Sequence, residues 1–220
     1  MTVLHNCLTV GRGGGVFIAV KDYIMSTQVT DFDTDCEIVW VKINIESCKS
    51  LYLASYYRPN AMDLESLVQL EDSISKVPKK NNHIWIAGDM NLPGLDWPSG
   101  SLKSNCPSTS QHTFFMDTMA DHGLVQVVDQ PTRGDNVLDL LAVNNPTLLN
   151  HLEIMPGISD HDIVITDSLI KPYYCKQRPQ KRYMFGKANW DQIKTDINMI
   201  TKDIYNHIHD MPIDKTWQTF

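Results

Sequence analysis

His83-Ile-Trp-Ile-Ala87 followed by Gly88-Asp89-Met90-Asn91 is the stretch on which the fold turns. Ile84 to Ala87 offer no polar face, which is how a strand reads when layers cover it on both sides. Its run stops at Gly88, and polar groups follow. Side chains two apart on a strand point the same way, so Asp89 and Asn91 are expected to share a face. A carboxylate beside an amide at the edge of a buried strand can orient an attacking water and hold a phosphate oxygen. Gly88 removes side-chain bulk where a ligand backbone would approach. Asp, Gly and Asn also favour turns, so this motif read alone is equally a turn that closes a strand.

Outward from this strand, β-rich and helical stretches alternate. Val16–Val20 is a short apolar strand behind the glycine cluster 11–15, which reads as a tight lead into that strand. It has neither the Lys-Ser/Thr of a phosphate loop nor the spacing of a dinucleotide fingerprint. Ile38–Ile45 and Leu51–Tyr57 are joined by a short polar link and predict a hairpin. Leu64, Leu67, Leu70 and Ile74 lie at helical spacing within Asp63–Val77, with Pro78 just beyond. A loop over 92–110 precedes a helix over Gln111–His122, with Gly123 suited to its C-terminus. Leu124–Val128, Val137–Val143, Leu152–Met155 and Ile163–Ser168 are further expected strands. Trp190, Ile193, Ile197 and Ile200 line one side of a terminal helix over Ala188–His209.

Three more constellations carry chemistry. Asp139 stands inside the apolar run Val137–Val143, where a carboxylate is costly to bury unless it is paired. The economical partner is a histidine on a neighbouring strand, and His161 is the best candidate. Ser159-Asp160-His161-Asp162 sets an imidazole among carboxylates directly before an apolar strand, suiting metal ligation or acid–base work. A solvated loop is the plainer alternative. At the end of another strand, Tyr56-Tyr57-Arg58-Pro59-Asn60 offers a hydroxyl and a guanidinium to a phosphate, although a strand-end aromatic is usually packing.

The net charge of the chain is −7. Residues 1–170 hold ten Lys/Arg against 21 Asp/Glu, a balance of −11, whereas 171–187 hold six basic residues and no acid. An acidic body is a poor general binder of phosphate backbones, yet it can host a cation. The basic stretch reads as a solvated linker or a backbone contact. Five scattered cysteines without a C-x-x-C pair suggest reduced intracellular thiols. No sufficiently long apolar run and no secretory signal are read, so no membrane association is expected.

The order of these motifs resembles the endonuclease/exonuclease/phosphatase superfamily, and most nearly the endonuclease domains of LINE-type non-LTR retrotransposons. The similar segments are R-G-G-G-V-F-I-A-V (12–20), Y-R-P-N (57–60), G-D-M-N-L-P-G-L-D-W (88–97), Q-P-T-R (130–133), L-D-L-L (138–141) and I-S-D-H-D (158–162). They span roughly residues 12–170. The resemblance implies a DNase-I-like four-layer sandwich of two packed mixed β-sheets flanked by helices, lacking its first strand and helix. It further implies DNA nicking with Mg²⁺ or Mn²⁺. Asp89 would activate water; Asn91, Tyr57, His161, Arg58 and Arg133 would contact the phosphate; Asp139 would fix the His161 ring; and Asp160 would serve the metal or the water. Family members begin with a strand bearing an Asn and then a Glu that is the principal metal ligand. Here R-G-G-G comes within a dozen residues of Met1, so the resemblance implies an N-terminally incomplete domain, with activity in doubt. Glu37 is expected to be a sheet-surface residue.

The implied organisation is a nuclease domain over 1–170, a basic linker over 171–187 and a helical connector over 188–220. K-A-N-W-D (187–191) is similar to the connector leading to a reverse transcriptase in such proteins. A monomer acting on DNA, nuclear if functional, is the corresponding expectation. The alternatives are a phosphatase or phosphodiesterase of the same superfamily and a non-catalytic fragment that binds nucleic acid.

Overall fold

The computed structural model describes residues 2–6, 15–47, 49–175 and 184–207. Four of the six basic residues of 171–187 (Lys176, Arg178, Lys181 and Arg182) lie outside this set, as does most of the glycine cluster 11–15. The chain divides into two compact units, Met1–Gln177 and Arg178–Phe220.

In the larger unit the strands are β1 (Thr2–Asn6), β2 (Val16–Val20), β3 (Ser26–Gln28), β4 (Glu37–Ile45), β5 (Lys49–Tyr57), β6 (Asn82–Asp89), β7 (Leu95–Asp96), β8 (Ser101–Leu102), β9 (Val125–Gln126), β10 (Asp139–Val143), β11 (Leu149–Met155) and β12 (Ile163–Ser168). Helices α1 (Leu64–Ser75) and α2 (Thr109–Asp121) accompany them. Six strands form one sheet in the order β3-β4-β5-β6-β10-β9, and β5 beside β6 is its one parallel pair. Parallel neighbours need a crossover, and α1 supplies it between β5 and β6. The hairpins β1–β2, β7–β8 and β11–β12 form separate two-stranded pieces. The smaller unit holds α3 (Trp190–His207).

Alternation along the strands divides the apolar residues between two faces. Ile38, Trp40, Tyr56, Ile84, Ile86 and Leu140 pack with Leu67, Leu70 and Ile74 of α1 and Phe115 and Met119 of α2. Each large side chain so buried contributes about 1.5–3 kcal/mol. Asp63 starts α1 by accepting the Ser66 N–H at 3.0 Å, a cap worth about 1 kcal/mol. Trp85 and Leu141 point the other way, onto Leu152 and Ile154 of β11 and Val164 of β12. Val39 and Val41 meet Val16, Ile18 and Val20 of β2. The fold is therefore α/β, with a mixed central sheet and flanking helices, as the sequence led us to expect.

The differences are local. The expected strand over Val137–Val143 starts only at Asp139, and that over Leu124–Val128 shrinks to two residues. Glu37 is buried rather than on the surface, and its carboxylate accepts the Gly15 N–H. Among the described residues no helix is long and apolar enough to cross a membrane.

Candidate active site

Strand register decides which polar groups meet. Glu37 on β4 lies opposite Tyr57 on β5, Tyr57 beside Asp89 on β6, and Asp89 opposite Asp139 on β10. Residues paired across a sheet project from one face, so this row crosses four strands at one end of the sheet. It is the face covered by β2 and by the β11–β12 hairpin. The loop joining β11 to β12 brings His161 to the same end.

The His161 Nδ1 lies 2.8 Å from Asp139 Oδ2. An ionised carboxylate only accepts, so Nδ1 carries the proton and donates it there. This orients the opposite edge of the ring, Nε2, toward Asp89 Oδ2 at 4.0 Å. One oxygen about 2.8 Å from both atoms would subtend close to a right angle, so the gap has room for a water to bridge them. The three side chains are 14% (Asp89), 22% (Asp139) and 25% (His161) exposed: reachable, yet largely out of water. Burial raises the Asp89 carboxyl above its ordinary pKa of 3.8. The Asn91 N–H and His161 oppose that shift, and the like charge of Asp139 adds to it.

The expected Asp139–His161 pairing thus has its counterpart in the structure, although the histidine sits on a loop rather than a strand. Asp89 and Asn91 come together for a reason other than strand alternation. β6 ends at Asp89, Asn91 is left-handed with φ +49, and its N–H donates to Asp89 Oδ1 at 2.8 Å. The turn reading is met, and the same hydrogen bond holds Asn91 beside Asp89. Gly88 has φ +147, and a Cβ there would overlap the Tyr56 carbonyl oxygen. Backbone on backbone at the sheet's parallel pair is what demands glycine.

One expectation is corrected. Arg58 does not reach a phosphate, because it is fully buried. Its guanidinium donates to the carbonyls of Asp63 (3.1 Å), Ala61 (2.5 Å), Met90 (3.1 Å) and Asn91 (3.3 Å) and to the Gln111 side chain. It braces the loop that carries Asn91. Arg58→Met is expected to cost about 2–4 kcal/mol in thermal or urea unfolding, since several buried carbonyls lose their donors. An unchanged melting curve would contradict that role. Asp160 and Arg133, the residues expected at a metal and a phosphate, pair with each other at 2.5 Å, and Arg133 lowers the Asp160 pKa. Arg133 is also near enough to lower the Asp89 pKa, and His161 near enough to lower that of Asp160.

A residue with no expected role lies close by. Thr132, fully buried, holds both strand start and histidine loop through its hydroxyl and its carbonyl. The Q-P-T-R motif marked the place but gave no hint of those bonds.

Among the described residues, no group of three or more His, Cys, Asp or Glu side chains could hold a metal ion. Asp139 is committed to His161, which leaves Asp89 as the free carboxylate of the group. The residues described do not by themselves fit a resident divalent ion.

A family model described as endonuclease-reverse transcriptase matches residues 51–165, which span Tyr57 to His161 and just over half of the chain. Several solved structures are similar in fold. The endonuclease domain of TRAS1, a telomere-specific non-LTR retrotransposon, is 18% identical with a TM-score of 0.58, covering 76% of this chain and 80% of that one. An AP endonuclease from Archaeoglobus fulgidus is 14% identical with a TM-score of 0.52, covering 76% and 79%. An endonuclease/exonuclease/phosphatase family protein from Leptotrichia buccalis C-1013-b is 13% identical with a TM-score of 0.52, covering 76% and 70%. No curated protein matches the chain.

Proposed function

Because the chain belongs to the endonuclease-reverse transcriptase family, we propose that it hydrolyses phosphodiester bonds in DNA, nicking one strand. The observation that carries this reading is the imidazole of His161, held by one carboxylate and turned toward a second across a gap one oxygen wide.

In this reading Asp89 takes the proton of the attacking water. Burial raises its pKa, which makes it a better base than a solvated aspartate. His161, through Nε2, donates a hydrogen bond to the phosphate oxygen on which charge develops. Asp139 keeps the ring upright and supports its charge in the transition state. Asn91 and Tyr57, flanking Asp89, would hold the non-bridging oxygens. Endonucleases of this superfamily generally depend on a divalent metal, and Mg²⁺ or Mn²⁺ is the expected ion. A reverse transcriptase elsewhere in a longer parent fits the family description.

Purified chain is expected to convert supercoiled plasmid to the open circle with Mg²⁺ and to stop when EDTA is added. Cleavage that persists in EDTA would sink the metal dependence, and no nicking at all would sink the hydrolase reading. The lack of a three-donor metal group among the described residues favours one alternative, a domain that binds nucleic acid without cutting it. Steeply salt-dependent binding without nicking is its signature.

The pH dependence has a definite sign. A raised Asp89 pKa means the base form is depleted at a higher pH than usual for a carboxylate. The nicking rate should therefore climb with pH along an acid limb centred above 3.8. Asp89→Asn should abolish both limb and rate; an acid limb surviving in that variant would assign the base elsewhere.

A further inference from the structure

We propose that Thr132 is the positioning residue that locks the Asp139–His161 hydrogen bond, by tying the backbone of both partners to one side chain and one carbonyl. Its Oγ1 accepts the N–H of Leu138 at 3.1 Å and that of Asp139 itself at 3.0 Å. Its carbonyl accepts the N–H of Asp162, next to His161, at 2.7 Å. Its own N–H donates to the Asn136 carbonyl at 2.9 Å, closing the turn that leads into β10. Thr132 and Leu138 are buried, so water does not replace these bonds freely.

A hydroxyl oxygen has two lone pairs, and both are used here. That sets the height at which Asp139 leaves the turn. The carbonyl of the same residue then sets where the histidine loop starts back toward β12. Two elements from different layers thus share one reference point, and the 2.8 Å contact between their side chains follows from it. Arg133–Asp160 clasps the same two segments from the solvent side. Gly157 lets the loop fold tightly, since a Cβ there would overlap the His161 carbonyl oxygen.

The consequence for activity rests on the hydrolase reading; the consequence for geometry does not. Valine matches threonine in shape but accepts no hydrogen bond, whereas serine keeps the hydroxyl. In the full chain, the imidazole Nδ1 proton of His161 bonded to a carboxylate should give a far-downfield resonance in the proton–nitrogen NMR spectrum. It is expected in the wild type and in Thr132→Ser and lost in Thr132→Val, with Asp139→Asn identifying the signal by its disappearance. Nicking should fall about 100-fold in Thr132→Val, the scale of a misplaced catalytic group, and stay within a few-fold in Thr132→Ser.

A folded Thr132→Val that keeps the resonance overturns the proposal, as does a folded wild type that lacks it. If Thr132→Val fails to fold, Thr132→Ser decides: a retained resonance supports the role of the hydroxyl and a lost one overturns it. A resonance that follows the Thr132 hydroxyl in a chain that never nicks would uphold the positioning role and sink only the hydrolase reading.

Discussion

His161→Ala is expected to lower plasmid nicking by about 10²–10³-fold, the usual cost of deleting a group that stabilises transition-state charge. The ring is a quarter exposed and fills no core position, so its removal should leave the folded state close to wild type. What is lost is the group between two carboxylates. Without it Asp139 points at nothing, and the far side of the phosphate faces Asp89 with no counter-charge. The measurement is the rate of conversion of supercoiled to open-circular plasmid, with a melting curve recorded alongside. Equal nicking by the variant would refute the role given to His161. A lower rate that tracks a lower melting temperature would reduce it to a packing residue.

Gly88→Ala should have the largest effect on stability, more than about 4 kcal/mol, a range reached only by clashes and comparable core defects. Two costs add at this position. A φ of +147 is closed to alanine, and the new methyl would overlap the Tyr56 carbonyl oxygen within the β5–β6 ladder. The overlap is with backbone, so no rotamer change relieves it. The two strands would have to part at the residue next to Asp89. Urea unfolding of the variant should show a collapsed midpoint or no folded baseline. A loss under 1 kcal/mol would show that the close approach of the strands is not as drawn.

Much of this was legible in the sequence because burial and charge rarely coincide without cause. Asp139 beside Leu138, Leu140 and Leu141 called for a partner, and His161 was the fitting one. The strand Ile84–Ala87 and the amphipathic spacing of Leu67, Leu70 and Ile74 made the layers readable for the same reason. The misreadings share one physical source: a motif shows which groups are present, not which way they face. Arg58 stands among residues suited to phosphate, but its donors turn inward to carbonyls that exist as a set only once the loop after β6 has closed. Thr132 was invisible because its partners are backbone amides, which every sequence has. Glu37 was misread because its cover comes from residues far earlier in the chain.

The central sheet has outer strands of only three residues, β3, and two, β9. Its long strands β4, β5, β6 and β10 lie inside that order. Stubby margins are a common guard against stacking of one molecule onto the next. The β11–β12 hairpin is built otherwise: seven and six residues long, with Ile163 and Ile165 partly in solvent. If concentrated samples of this protein grow fibrous or turbid, that hairpin is where chain-to-chain pairing has its template, and charged replacements at those two isoleucines are the remedy to try first.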